Sequence, residues 1–263
     1  MESIILGTIQ GIAEWLPVSS EGLLVLAQVG LFESSSPLQE LIRISLFLHF
    51  GTFLAALVYF RRDVVNILLS VLKRKEADKE TKKITNFLVL ATLVSGLVGF
   101  GLLEAIEGAE ERLELGGKAI MGMVGVLLLF TAWIQLKTKS ETEKSIKNLN
   151  WKDGILLGIV QGFAALPGVS RSGSTTGVLL LNRYDEELSL RLSFLMSLPI
   201  VLAGNIILNA DMFTLSTNAL LGLLASFIFG LATIHILLKI ARKVNFGYFV
   251  LGFAILTLMA VFI

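Results

Sequence analysis

The sequence predicts an all-α integral membrane protein. It reads as an inverted-topology repeat of six full spans plus two re-entrant helical hairpins. Three observations carry that prediction. The 263 residues are 54% hydrophobic and only 16% charged, whereas a soluble domain carries about 25% charge. Six stretches match the roughly 20 apolar residues a spanning helix needs. Two further apolar stretches are broken at their centres by proline and serine clusters, and they resemble each other. A soluble globular enzyme is excluded by the first observation.

The elements follow in chain order. The first broken stretch runs from Ile4 to Leu31. It lacks the basic start and small-residue cleavage site of a signal peptide, so it reads as part of the mature fold. Full spans are expected at Leu38–Phe60, Ile84–Ile106 and Lys118–Leu136. The second broken stretch is Trp151–Leu181, followed by spans at Leu188–Leu208, Thr217–Leu238 and Val244–Ile263. Residues 1–136 form one repeat, 137–151 a linker and 152–263 the other, within one integrated membrane domain.

Charge placement orients the chain. Arg61, Arg62, Lys73, Arg74, Lys75, Lys79, Lys82 and Lys83 crowd one loop. Lys137, Lys139, Lys144, Lys147 and Lys152 mark the linker, and Lys239, Arg242 and Lys243 a third turn. The loop around Glu104–Glu114 is acidic, and the one around Asp211 has no basic residue. Basic loops lie on the cytoplasmic side, so 61–83, 137–152 and 239–243 are expected there. Three spans separate the broken stretches. The first must then enter and leave on the outer side, and the second on the cytoplasmic side. Irregular backbone at membrane depth is tolerated where protein or a wet cavity satisfies it, so both breaks point to a site.

The repeat is visible in the letters. LGTIQGIAEWLPVSSEG (6–22) reads against LGIVQGFAALPGVSRSG (157–173), and RISLFLHFGTFLAA (43–56) against RLSFLMSLPIVLAG (191–204). Gly7, Gln10, Gly11 and Ala13 meet Gly158, Gln161, Gly162 and Ala164, while Arg43 and Ser45 meet Arg191 and Ser193. An odd number of spans per half inverts the second half. Transporter-like repeats of this kind place their site where broken helices meet near the membrane middle.

The two tips hold the polar chemistry. The first carries Gln10 and Glu14, four apart and so on one helical face, then Ser19, Ser20 and Glu21. A carboxylate in an apolar segment is functional by default, as a cation ligand, a base or an Arg partner. The second tip carries Pro167, Gly168, Ser170, Arg171, Ser172, Ser174 and Thr175. A helix restarting after a break presents free N–H groups and its positive dipole end. Arg171 adds a guanidinium suited to bidentate phosphate contacts. Two such starts facing each other suit a ligand with two anionic groups, such as a diphosphate, and apolar spans around them suit a lipid tail. There is no cysteine, so no thiolate chemistry. Two histidines cannot make a three-His zinc site, and no Walker-type phosphate loop is present.

The pattern of Gln10-x-x-x-Glu14 followed by Pro17-x-Ser19-Ser20, with the distal Pro167-Gly168-x-Ser170-Arg171-Ser172 and Thr175, resembles the undecaprenyl-diphosphate phosphatases of the BacA type, also called bacitracin-resistance proteins. HFGTFLAALVYFRRD (49–63) and SFLMSLP (193–199) are also similar to the family, so the resemblance covers essentially the whole chain. It implies hydrolysis of a polyprenyl diphosphate to the monophosphate at the outer face of the plasma membrane, recycling the lipid carrier for cell-envelope glycans. It implies a divalent cation, Mg²⁺ or Ca²⁺, held by Glu14. The expected partners are the polyprenyl diphosphate lipid and the membrane, with a homodimer allowed and no nucleic acid.

On this reading Glu14, Ser20 and Arg171 are catalytic. Arg171 grips phosphate, Ser20 attacks phosphorus or positions a water that does, and Glu14 is the general base. Gln10, Ser19, Gly168, Ser170, Ser172 and Thr175 bind substrate. The rival reading is a polyprenyl-phosphate flippase using the same inverted-repeat site. The chain departs from the family twice: many members have Glu at the place of Gln10, and Leu23 stands where many have a histidine proposed as catalytic. His49, inside the first full span, reads as a satisfied polar residue, and His235 as incidental.

Overall fold

The structure, a computed structural model, describes all residues except 114–116, 138–142, 211–216, 242–246 and 263. Glu114, Lys139, Asp211, Arg242 and Lys243, which the charge reading invokes, lie outside the described residues. Among the described residues the regular elements are helices, with one isolated bridge between Lys144 and Tyr184. They are α1 (Glu2–Ala13), α2 (Ser20–Gly30), α3 (Leu38–Tyr59), α4 (Arg61–Leu72), α5 (Lys79–Leu113), α6 (Gly117–Lys137), α7 (Trp151–Phe163), α8 (Arg171–Leu181), α9 (Glu186–Leu208), α10 (Thr217–Ala241) and α11 (Gly247–Ala260).

Five of these, α3, α5, α6, α9 and α10, contain segments long and apolar enough to cross a membrane. Leu97, Ile206 and Leu256 stand exposed on the outside of the bundle, where water would be a poor solvent for them and lipid a good one. The molecule is a membrane protein. Residues 244–246 and 263 of the sixth expected span, Val244–Ile263, lie outside the described residues, and the part described contains the 14-residue helix α11. At 1.5 Å per residue that reaches about 21 Å, short of the roughly 30 Å hydrocarbon core. The loop expected at 61–83 contains a helix instead. In α4, Val65, Leu68, Leu69 and Leu72 are exposed beside Arg61 and Arg62, a mixed apolar and basic surface that a charge count alone conceals.

Each broken stretch folds as helix, break, helix. In α1 and α7 the break follows a Gly-rich face packed on a neighbour: α1 lies on α10, and α7 on α5. A Cβ on Gly11 would come within 2.8 Å of backbone atoms of Ser226 and Gly230, and one on Gly162 within 2.5 Å of the Val98 side chain. Approach this close needs glycine at both positions. Helix α3 packs on α9, and α6 on α11.

Arg43 of α3 donates through Nε to Leu208 O (2.9 Å) and Asn209 Oδ1 (3.3 Å), at the far end of α9. Arg191 of α9 pairs with Asp63, just past the far end of α3. The two arginines that the repeat aligns thus fasten the same helix pair at opposite ends.

Candidate active site

Both helix restarts are built by serine. Ser19 caps α2, its Oγ accepting from Gly22 N at 3.2 Å, and Ser170 caps α8, its Oγ accepting from Gly173 N at 3.1 Å. Such caps satisfy one of the orphan donors at a helix start. The two caps are also stitched together. Gly168 N donates to Ser19 Oγ at 3.1 Å, and Ser172 Oγ donates to Leu16 O at 3.2 Å. Gln135 of α6 donates to Pro17 O, and Thr131 Oγ1 donates to Gly168 O at 2.8 Å. Ser19 holds φ 58, and Gly168 φ 106. A non-glycine residue in the left-handed region costs on the order of 1–3 kcal/mol, and such strain clusters at functional sites.

Glu14 and Arg171, 157 residues apart, form an ion pair between the tips, Arg171 Nη2 donating to Glu14 Oε1. Arg171 is held from three sides. Its Nη1 donates to Ser193 O at 3.1 Å, and its guanidinium lies 5.7 Å from the Phe194 ring centroid. Phe194 in turn packs on Trp15, with centroids 5.5 Å apart, and the Trp15 indole donates to Gly230 O at 3.0 Å. The other carboxylate oxygen, Glu14 Oε2, accepts from Gln10 Nε2 (3.0 Å) and Ser20 Oγ (2.8 Å) and lies 3.2 Å from His49 Nε2. His49 Nε2 is also 3.3 Å from Ser20 Oγ, and its Nδ1 is 2.7 Å from Ser45 O.

These groups form one end of a cavity of about 210 Å³, a little below the roughly 300–1,000 Å³ range for small-molecule sites. Glu14, Ser19, Ser20, Glu21, His49, Ser170, Arg171 and Ser172 line its polar end. Gly96, Gly99, Phe100 and Leu103 of α5, with Ile200, Ala203, Gly204 and Ile207 of α9, make much of the apolar remainder, and Ser95 and Gln161 add a second, smaller polar spot. Of the residues singled out in the sequence, Glu14, Ser19, Ser20, Ser170, Arg171 and Ser172 share this wall. Gln10, Gly168 and Thr175 do not line it. Gln10 stands behind Glu14, its amide also donating to Thr52 Oγ1 at 3.2 Å. Gly168 spends its N–H on Ser19. Thr175 sits 2.7 Å from Ser193 Oγ and donates to Arg171 O at 2.7 Å, supporting the arginine from behind.

Two lining groups go beyond the sequence expectation. His49 faces Ser20 and Glu14 instead of merely filling its span, and Glu21 joins the cavity wall. The letters offer one signal for them. A leucine at 23 and an amide at 10 leave the first tip without an imidazole and with one carboxylate fewer, so another element has room to supply the missing chemistry.

The donor set does not fit a resident divalent cation. Among the described residues no three His, Asp or Glu side chains converge as a metal cluster. Glu14, the expected ligand, has both oxygens committed to other donors. A cation here would draw most of its oxygen ligands from a bound diphosphate.

Residues 3–259 match the family model described as bacitracin resistance protein BacA. The chain is 41% identical to an undecaprenyl-diphosphatase of Methanococcoides burtonii, over all of this chain and 98% of the relative. It is 37% identical to one of Haloarcula marismortui, covering 93% of this chain and 90% of the relative. A third, from Methanothrix thermoacetophila, is 36% identical over 98% of this chain and 95% of the relative. With the paired tips, their ion pair and a match along nearly the full length, the chain belongs to the BacA family.

Proposed function

We propose that this protein hydrolyses a polyprenyl diphosphate, of the undecaprenyl class named for its relatives, to the monophosphate and inorganic phosphate. The observation that carries the reading is the meeting of Arg171 from one tip with Glu14 and Ser20 from the other at the polar end of an otherwise apolar cavity. The first N–H groups of α2 and α8 precede any intrahelical bond. With Arg171 they supply positive potential for the two phosphates. The small residues Gly96, Gly99 and Gly204 leave room between α5 and α9 for the first isoprene units. Phosphoryl transfer is mostly positioning and charge stabilisation, which fixed dipoles and one clamped guanidinium provide. Ser20 is the nucleophile: its Oγ forms the new bond to the terminal phosphorus, and the polyprenyl monophosphate leaves with the bridging oxygen. Glu14 orients both Ser20 and Arg171.

The inverted repeat belongs to the same proposal. In support, aligned helices meet crosswise, α1 on α10 and α7 on α5, and Arg43 and Arg191 fasten opposite ends of the α3–α9 pair. Lys83 contacts Lys147 O, and Glu143 and Lys144 pair with the Arg183–Tyr184 turn, which gathers basic segments at one end. That end is cytoplasmic by the distribution of Lys and Arg, the site opens to the outer face, and the product returns to the carrier pool for envelope glycans.

A flippase built on the same repeat is the competing reading. Purified protein in detergent separates them. The phosphatase reading predicts steady release of inorganic phosphate from undecaprenyl or farnesyl diphosphate. A flippase alone releases none and acts only across sealed vesicles. Assays with and without chelator report on the cation: since the described residues offer no cage of their own, chelation is expected to raise KM more than it lowers kcat.

A further inference from the structure

We propose that α4 and the cavity at its start form a binding site for an anionic phospholipid, with the headgroup phosphate held by Arg61 and Arg62 and the chains laid along α4. The site is independent of the phosphatase reading and shares no lining residue with the active-site cavity. Its cavity measures about 480 Å³, inside the roughly 300–1,000 Å³ range of small-molecule sites. Three guanidinium groups, from Arg61, Arg62 and Arg191, meet two carboxylates there, Asp63 and Glu187. Arg191 is committed to Asp63. Arg61 and Arg62, both exposed at the start of α4, then outnumber Glu187 and leave the cavity positive. Phe60 and Phe194 add an aromatic wall.

The helix supplies the apolar half of the site. Its Val64 and Ile67 pack against the bundle core. Val65, Leu68, Leu69 and Leu72 are exposed and follow Arg61 at helical spacing, so they continue one face from that guanidinium. Lys73, Arg74 and Lys75 stand exposed at the other end of the stripe. An apolar stripe with basic residues at both ends suits a helix lying in the membrane interface. Tyr59, the last residue of α3, marks the same level, where aromatic rings collect. Basic clusters directly beyond a span attract anionic lipid, and a guanidinium fork donates two parallel N–H bonds to a phosphate. A choline headgroup would instead bring a further cation among three guanidinium groups. Charge therefore selects a phosphatidylglycerol-like headgroup over a choline one.

The test is the unfolding temperature of the purified protein in detergent micelles doped with phosphatidylglycerol or with phosphatidylcholine. A ligand that binds only the folded state raises that temperature. Wild type is expected to unfold at least about 2 °C higher with phosphatidylglycerol than with phosphatidylcholine. Combining Arg61→Gln with Arg62→Gln should abolish the difference. Combining Lys147→Gln with Lys152→Gln removes the same charge from exposed positions outside the cavity and should leave the difference intact. The proposal is overturned if wild type shows no preference, if the arginine double variant keeps it, or if the lysine double variant loses it equally. Inorganic phosphate added to the phosphatidylcholine micelles separates a lipid headgroup from a free anion. Stabilisation by phosphate as large as that by phosphatidylglycerol, and lost with the two arginines, would overturn the lipid assignment.

Discussion

Ser20 and Gln10 donate to the same atom, Glu14 Oε2. They differ in what lies beyond. Ser20 faces the cavity, whereas Gln10 is fully buried against Thr52. Ser20→Ala is accordingly expected to lose about a thousandfold or more in phosphate release, as variants lacking an activated nucleophile do. Gln10→Ala should lose less than about tenfold, with KM for the diphosphate unchanged, because one supporting hydrogen bond contributes about 0.5–1.5 kcal/mol net. Equal losses in steady-state assays would contradict the division between wall and support. Glu14 and Arg171 are legible in the letters because a charge inside an apolar segment is costly and rarely idle, and Ser20 because it belongs to the serine pair that follows the first break. Gln10, Gly168 and Thr175 look equivalent to them there, since spacing records which residues are near the tip and not which way they face. His49 is illegible for the same reason: its contact with Ser20 depends on how α3 is rotated against α1 and α2.

Among the elements, α5 and α9 set the apolar wall. A Cβ on Gly96 would meet only Ile200 Cδ1, at 3.8 Å, so a larger side chain enters the cavity without displacing a helix. Gly96→Leu is expected to cut turnover of undecaprenyl diphosphate by about tenfold, equivalent to about 1.4 kcal/mol, while farnesyl diphosphate stays within about twofold. Parallel losses on both substrates would move the tail elsewhere. Away from the cavity, Tyr184 donates to Asp153 Oδ2 at 2.8 Å, and Asp153 also accepts from Asn150 N to cap α7. Burial first, and the neighbouring carboxylate second, push the Tyr184 phenol well above its ordinary range. It therefore remains a donor at any physiological pH. Tyr184→Phe leaves the buried carboxylate short of a donor and should cost about 1–3 kcal/mol, seen as a lower unfolding temperature in detergent. Tyr59→Phe, which removes an exposed contact with His235, should cost less. Hydropathy makes the long spans legible at this scale, but not α4, whose basic residues mask the apolar positions between them.

For the molecule as a whole, the repeat in the letters and the crossed packing of its halves argue for a site shared between two inverted units. The absence of cysteine makes the topology directly measurable. Ser35→Cys and Lys75→Cys, both at positions outside the helices, lie before α3 and after α4. In oriented membranes an impermeant thiol reagent should label Ser35→Cys from outside and Lys75→Cys from inside; labelling of both from one side would refute the proposed orientation. The proposal of inversion comes from the sequence, where an odd number of expected spans separates two similar breaks. The joining of the tips is not, since Ser19 to Gly168 and Glu14 to Arg171 are contacts across 149 and 157 residues.

The most direct test of a site assembled from both tips is phosphate release from undecaprenyl diphosphate by purified wild type and Arg171→Ala. Arginines that stabilise transferring phosphoryl groups are worth about 10³–10⁵ in rate. The expected result is a loss of at least about a thousandfold in a variant that retains the wild-type helical content and elution volume. Turnover within about tenfold of wild type would contradict the account, because the second tip would then contribute no chemistry.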